Sequence, residues 1–248
     1  MNGLLLVTGA SRGIGAATAL LAAARGYAVA VNYVNDAGAA QGVCAQIIDG
    51  GGRAFALQAD VAREGEVLTM FAAIDACGIP LTALVNNAGV VGQVSRFTDY
   101  TLARLQRSFA VNVLGAFLVA REALKRMATT CGGQGGAIVN VSSAAARLGS
   151  PHEFIDYAAS KGAIDTFTLG LAKEFGGQGV RVNAVRPGII ATEIHASAGA
   201  PDRVARFAPQ VPLARAGTAA EVAQTILWLL SDEAAYLTGA LVDVAGGR

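Results

Sequence analysis

Short apolar runs alternate with longer stretches of helical period along the whole chain, and no other feature limits the fold as tightly. The runs are Leu4–Val7, Ala28–Tyr33, Arg53–Gln58, Ala83–Asn86, Ala137–Val141, Arg181–Val185 and Ala240–Val244. Most are continuously apolar, as strands buried on both faces of a parallel sheet must be. Apolar spacing near 3.6 marks helices over Ile14–Ala24, Gly38–Ile48, Glu64–Ala76, Leu102–Met127, Tyr157–Phe175 and Ala219–Leu230. Thr218 and Glu221 form a capping box at the start of the last. Such alternation predicts an α/β protein with a doubly wound, mainly seven-stranded parallel sheet and helices on both faces.

No Pro/Ser-rich linker or charge run divides the chain, so residues 1–248 are read as one domain. Pro187–Arg215 lacks clear periodicity and holds four of the six prolines; a connection of this length predicts a substrate-binding lid. With 19 basic against 18 acidic residues, a net charge of +1, non-specific nucleic-acid binding is not expected. The 53% hydrophobic content raises the question of a membrane span. The two longest uncharged stretches, Ala76–Ser95 and Met127–Ala146, are broken by Pro80, by Asn86 and Asn87, and by the glycines around Gln134, so no membrane partner is expected. Cys44, Cys77 and Cys131 are scattered and odd in number, which speaks against a disulfide framework or a metal site. The expectation is a soluble, cytoplasmic protein.

Thr8-Gly-Ala-Ser-Arg-Gly-Ile-Gly15 joins the first strand to the first helix. Gly9, Gly13 and Gly15 would give the tight turn, the close approach and the helix–strand contact. A phosphate pair docks where backbone N–H groups point outward at such a helix N-terminus and no side chain blocks the approach. In the second half, Tyr157-Ala-Ala-Ser-Lys161 sets a phenol and an ammonium at i and i+4, on one helix face. A phenol titrates near 10, and a neighbouring cation lowers that value toward useful proton exchange. Lys occurs only at 125, 161 and 173, so chance accounts poorly for the pair. Ser142 and Ser143 close the fifth strand, at the sheet edge where α/β folds place ligands.

These segments resemble the short-chain dehydrogenase/reductase family. The resemblance rests on TGxxxGxG at Thr8–Gly15, Asn86-Asn-Ala-Gly89, Tyr157-x-x-x-Lys161, Arg186-Pro-Gly-Ile-Ile-Ala-Thr192, and Leu237-Thr-Gly with the final strand. It implies an NAD(P)-binding Rossmann fold and hydride transfer between nicotinamide and a carbonyl or secondary alcohol. It implies a catalytic tetrad of Asn112, Ser143, Tyr157 and Lys161. Ser143 is favoured over Ser142 because it stands fourteen residues before Tyr157, one more than many members have, and Ser142 would be further off. The extra residue is assigned to the Ser150–Glu153 loop. The family's Asn perturbs its helix to hold a relay water, which makes Asn112 the candidate for that place.

By the same resemblance, the cofactor is held by Gly9, Ser11, Arg12, Gly13, Ile14, Gly15, Tyr33, Asp60, Val61, Asn87, Ala88, Gly89, Tyr157, Lys161, Pro187, Gly188, Ile190 and Thr192. Asp60 corresponds to the family's adenine-contacting Asp. An acidic residue after the second strand would select NAD; uncharged Tyr33 occupies that place, and Arg12 can reach a 2′-phosphate. NADP(H) is therefore expected over NAD(H), although Val34 stands where some NADP-using members have a second basic residue.

The substrate side, by family position, comprises Val91, Ala144, Ala145, Phe154, Ile190 and the 187–215 loop, which predicts an apolar pocket with few polar handles. His152 and His195 read as isolated loop histidines. Similarity leans toward 3-oxoacyl-carrier-protein reductases and glucose-dehydrogenase-like members, so reduction of a ketone or 3-oxoacyl thioester is expected. Oxidation of a sugar or other alcohol is the alternative, and a non-catalytic dinucleotide-binding regulator is an alternative of another class. Arg104, Arg107, Arg121 and Arg126 cannot be placed on one carrier-binding face from sequence. The Leu102–Met127 and Tyr157–Phe175 helices resemble the family's dimer-forming pair, which implies a homotetramer or homodimer.

Overall fold

Leu4, Leu5, Leu6 and Val7 are all fully buried, and successive side chains of this strand enter different cores. Leu4 and Leu6 join the core on one face of the sheet, and Leu5 and Val7 join the core on the other. A strand whose period of two supplies both faces with apolar groups cannot show apolar/polar alternation, which explains the continuous runs. The computed structural model describes residues 3–193 and 199–248.

Among the described residues the main sheet is built from β1 (Leu4–Val7), β2 (Ala28–Tyr33), β3 (Arg53–Gln58), β4 (Leu81–Asn86), β5 (Gly136–Val141), β6 (Val180–Pro187) and β7 (Leu241–Val244). They form one sheet in the order β3-β2-β1-β4-β5-β6-β7, with every pairing parallel. The order reverses between β1 and β4, and ligands of open α/β sheets bind at the carboxyl ends of strands at such a point.

Three helices cover each face. One core takes Val67, Met70, Phe71 and Ile74 from Glu64–Ala76, Val119 and Met127 from the 102–127 helix, and Ala172 from Ile155–Phe175. The other takes Ala19 and Ala22 from Gly13–Ala24, Val43 and Ile47 from Ala37–Asp49, and Ile226 and Leu229 from Ala219–Leu230. The capping box at Thr218 is formed: its hydroxyl accepts from Glu221 N at 3.2 Å, and the Glu221 carboxylate accepts from Thr218 N at 2.8 Å.

Two features go beyond the periodicity. The 102–127 helix is α-helical over Leu102–Phe109 and Ala116–Met127 but π-helical over Ala110–Gly115, the turn that carries Asn112. By length and hydropathy this helix would suffice to cross a bilayer, yet Val119, Ala120, Ala123 and Met127 are buried against the sheet. The 187–215 segment also has regular structure. Ile190–Ala191 pairs in parallel with Gly217–Thr218, and Arg203–Phe207 forms a short helix.

Candidate active site

Gly9 and Gly13 both have positive φ, +60° and +58°, a region that costs a residue bearing Cβ about 1–2 kcal/mol. Gly15 has ordinary φ but no room: a Cβ there would lie 2.5 Å from the Gly9 carbonyl oxygen and 2.6 Å from Asn87 Nδ2. The Gly13–Ala24 helix has no acidic residue in its first turn, so the positive end of its dipole stays available to an anion.

The loop is pinned from two sides. Asn87 Nδ2 donates to the carbonyls of Thr8 (2.8 Å) and Gly9 (3.0 Å), and Thr8 Oγ1 accepts from the N–H groups of Asn87 and Ala88. Asn86 Nδ2 donates to Ala116 O at 2.9 Å, so both asparagines of this segment tie β4 to distant elements. On the other side is a residue absent from the sequence-based set. Asn32, fully buried in β2, accepts from Gly9 N through Oδ1 and donates to Leu57 O and Ala59 O. Its signal was present as a lone amide inside an apolar strand.

A cleft of ≈ 980 Å³ opens over this edge of the sheet. Of the expected cofactor residues, Gly9, Ser11, Arg12, Gly13, Ile14, Tyr33, Asp60, Val61, Asn87, Ala88 and Gly89 line it. So do Pro187, Gly188, Ile190 and Thr192, together with Ser143, Tyr157 and Lys161. Gly15 and Asn112 lie behind the wall. A side-chain-free cradle at a helix N-terminus, opening into a cleft of this size, fits a nicotinamide dinucleotide.

Ser143 and Tyr157 both line this cleft, with the Ser143 hydroxyl near enough to favour the phenolate. Ser142 instead donates to Lys161 O at 3.1 Å and is buried. Lys161 Nζ donates to Val141 O at 2.7 Å and lies 5.6 Å from the centroid of the Tyr157 ring. Burial lowers the lysine to about 8, against the pull of Asp165 one turn on.

The phenol behaves differently from expectation. Burial raises the Tyr157 pKa above its ordinary value, and the opposing influences are the Ser143 hydroxyl and the Arg203 guanidinium. Lys161 shares a helix face with Tyr157, as the i, i+4 spacing predicts, but its Nζ turns to a strand carbonyl, and desolvation of the phenol outweighs the influences that lower its pKa.

Asn112 is buried and fully engaged. Its Oδ1 accepts from Val90 N at 2.8 Å, and its Nδ2 donates to Val90 O (2.9 Å) and Ser160 Oγ (3.0 Å). Asp60 accepts from Ala62 N and from Arg107. Burial alone would raise the Asp60 carboxyl, but these two donors outweigh it and hold the pKa below the usual range. Arg12 pairs with Glu193 across 3.5 Å in an exposed contact, and Asp36 joins Tyr33 in the cleft wall while capping the next helix.

The substrate end is less apolar than its sequence suggests. Val91, Ala144, Ala145, Phe154 and Ile190 line it, but so do Glu153, Arg203, Arg206 and Arg248. His152 also reaches the cleft, in a loop where both Ser150 and His152 have positive φ. His195 lies outside the described residues. The four arginines considered for a carrier-binding face are all paired: Arg104 with Asp156, Arg107 with Asp60, Arg121 with Glu64 and Glu122, and Arg126 with Asp75 and Glu122.

The sequence model of the enoyl-(acyl carrier protein) reductase family matches residues 9–248. An uncharacterised oxidoreductase of Escherichia coli K12, YgfF, is 58% identical over 99% of both chains. A 3-oxoacyl-[acyl-carrier protein] reductase from Brucella melitensis, solved with bound NAD, superposes with a TM-score of 0.87 at 36% identity, over 98% of this chain and 90% of that one. A short-chain dehydrogenase from Burkholderia cenocepacia, solved with NADP, gives 0.88 at 33% identity, over 98% of this chain and 96% of the other.

Proposed function

The chain belongs to the short-chain dehydrogenase/reductase family, and from that premise we propose that it is an NADPH-dependent reductase of a ketone or 3-oxoacyl thioester. The observation that carries this reading is that Ser143, Tyr157 and Lys161 line the same cleft as the glycine cradle, at the carboxyl edge of the sheet, with Lys161 Nζ 5.6 Å from the centroid of the Tyr157 ring.

The dinucleotide, when bound, supplies the hydride. Ser143 donates a hydrogen bond to the substrate carbonyl oxygen, and the Tyr157 hydroxyl delivers a proton to that oxygen. A phenol whose pKa is raised stays protonated at neutral pH, which suits the donor role in reduction. Lys161 keeps a cation beneath the phenol and is the residue that would hold the ribose hydroxyls. Asn112 fixes Val90 and Ser160, and the π-helical turn that carries it would hold a relay water. The glycine cradle, Asp60, Asn87 and the Pro187–Thr192 segment would hold the dinucleotide, and the 187–215 segment would act as a lid within a single domain.

The preference for NADPH rests on Arg12 and on uncharged Tyr33 at the end of β2. Homo-oligomerisation is part of the same reading: Phe109, Leu114 and Phe117 on the 102–127 helix and Leu169 on Ile155–Phe175 are exposed apolar groups. Three free cysteines suit a reducing cytoplasmic compartment.

A panel of 3-oxoacyl thioesters, quinones, diketones and sugars, each assayed with both cofactors, tests the proposal. NADPH-driven reduction of a carbonyl member is expected. Binding of NADPH with no turnover anywhere in the panel would instead mark a non-catalytic regulator.

A further inference from the structure

Arg203 and Arg206 share one carboxylate. Glu153 Oε2 accepts from Arg203, and Glu153 Oε1 accepts from Arg206 at 2.6 Å. The guanidiniums of Arg203, Arg206 and Arg248 lie 4.8, 4.7 and 5.1 Å from the centroid of one ring, Phe207. Arg203 also lies over Phe154, 5.0 Å from its centroid. The Arg203 and Glu153 side chains are 9% and 14% exposed, whereas Arg206 is half open to the cleft.

Like charges packed this closely in a part-buried site repel, and one carboxylate cannot neutralise them. The nearby Asp243 carboxylate does not relieve the excess, because it is paired with a further cation, Arg147, 3.1 Å away, which also donates to the Arg248 carbonyl oxygen. His152 adds no negative charge. The wall of the substrate end therefore carries a net positive field, focused by the aromatic rings beside it. It adjoins the reacting groups, since Arg203 is near enough to Tyr157 to act on the phenol's charge.

We propose that the carbonyl substrate bears an anionic oxygen group, which takes the guanidinium capacity of Arg203 and Arg206 that Glu153 leaves unused, with its apolar body against Phe154 and Phe207. The inference rests on the reductase reading and narrows its substrate class. Two sources share this chemistry: the carboxylate of an oxo acid, and the phosphates of a thioester carrier. Guanidinium–oxyanion pairs of this kind are worth a preference of about tenfold or more.

Two matched pairs test it with NADPH as reductant. The first is 4-oxopentanoate and 5-oxohexanoate against their methyl esters. The second is 3-oxobutanoyl-coenzyme A against the uncharged N-acetylcysteamine thioester. At least one anionic member should exceed its neutral partner about tenfold in kcat/KM, chiefly through KM, and the pair that does so identifies the source. Arg206→Gln should bring that ratio toward one and Arg206→Lys should restore part of it. Glu153→Gln should raise it, because a competing carboxylate is removed. Neutral members reduced as well as their anionic partners in the wild type, or a ratio that neither substitution moves, would overturn the proposal while leaving the reductase reading intact. If no member of either pair is reduced, calorimetric titration of 4-oxopentanoate and 3-oxobutanoyl-coenzyme A into the NADP⁺-loaded protein decides. Binding no tighter than that of the neutral partners would then overturn it.

Discussion

Asn112 brackets the backbone of Val90, accepting from its N–H at 2.8 Å and donating to its C=O at 2.9 Å, while the same amide donates to Ser160. A side-chain amide thus imitates a sheet partner for the strand-like segment after Gly89, and it does so from a π-helical turn. The extra residue of such a turn widens the helix and re-aims the side chain. Asn112→Ala removes all three bonds at once. The expected loss is about 1–3 kcal/mol, discounted because Val90 is only half-buried. Thermal unfolding should register a Tm lower by about 3–10 °C. A variant as stable as the wild type would show that the bracket contributes nothing to the fold.

Gly15→Ala should fail for a different reason. The added methyl would meet backbone, the Gly9 carbonyl at 2.5 Å, and the amide of Asn87 at 2.6 Å, so the cradle itself must shift. NADPH affinity, measured by fluorescence titration, should fall at least tenfold. Gly42→Ala is the control: Gly42 sits in the Ala37–Asp49 helix with nothing within 4 Å of the new Cβ. It should gain about 0.5–1 kcal/mol from lost unfolded-state freedom without disturbing the cofactor. Equal affinity in the two variants would remove the packing role given to Gly15.

The contrast between these two glycines shows what a sequence can carry. The sheet was legible because its central strands feed two cores, so burial is written as unbroken apolar runs at Leu4–Val7 and Ala28–Val31. The cradle was legible because only glycines at a β1–helix junction meet the steric demand. Asn32 was not singled out, since an amide in a buried strand states a need for partners but not that one of them is Gly9 N. The Glu153–Arg203–Arg206 cluster was out of reach for another reason. Its members stand some fifty residues apart, and Arg203–Phe207 is too short a helix to announce itself by period. At the Tyr157–Lys161 pair, spacing fixed the shared face, but burial and the Val141 carbonyl, both tertiary facts, set the charges.

Tyr157→Phe keeps the ring and its packing and deletes only the hydroxyl proposed as the proton donor. Turnover should fall by two or more orders of magnitude, consistent with loss of general acid catalysis, while NADPH affinity stays within a few-fold. Ser143→Ala should also reduce turnover, because the hydroxyl proposed to bond the substrate carbonyl oxygen is lost. Steady-state kinetics with the best carbonyl of the panel checks both. Unchanged turnover in Tyr157→Phe would end the assignment of that phenol.

Lys161 makes stability depend on pH in a defined direction. Burial holds it at about 8, below the ordinary lysine value of 10.5, so the unfolded chain keeps its proton where the folded chain has released it. Unfolding then takes up a proton, and the fold gains stability as pH rises through that window. Below about 8 both states are protonated and the burial penalty is borne in full. The buried phenols of Tyr27, Tyr100 and Tyr157, raised by desolvation, act oppositely near and above pH 10. The useful range is thus about 8 to 9.5, and the reference is Lys161→Met. Wild-type stability minus that of the variant, from urea unfolding at several pH values, should increase across this range. A flat difference would mean that Lys161 is solvated and ordinary.

On the proposed preference for NADPH, Arg12 and Glu193 are the residues that would set how strongly the site distinguishes the two dinucleotides. Their contact is 3.5 Å long with side chains 61% and 73% exposed, a geometry worth little to the fold. A dianionic 2′-phosphate offers Arg12 a stronger, charge-assisted partner, and uncharged Tyr33 presents no carboxylate to repel it. Arg12→Gln should therefore lower the ratio of kcat/KM for NADPH to that for NADH about tenfold. Glu193→Gln removes a neighbouring negative charge and should move the ratio the other way, by about twofold, given its exposure. Added salt should erode the wild-type preference, because the contact is open to solvent. Losses that fall equally on both cofactors in Arg12→Gln would show that this guanidinium supports the loop and reads no phosphate.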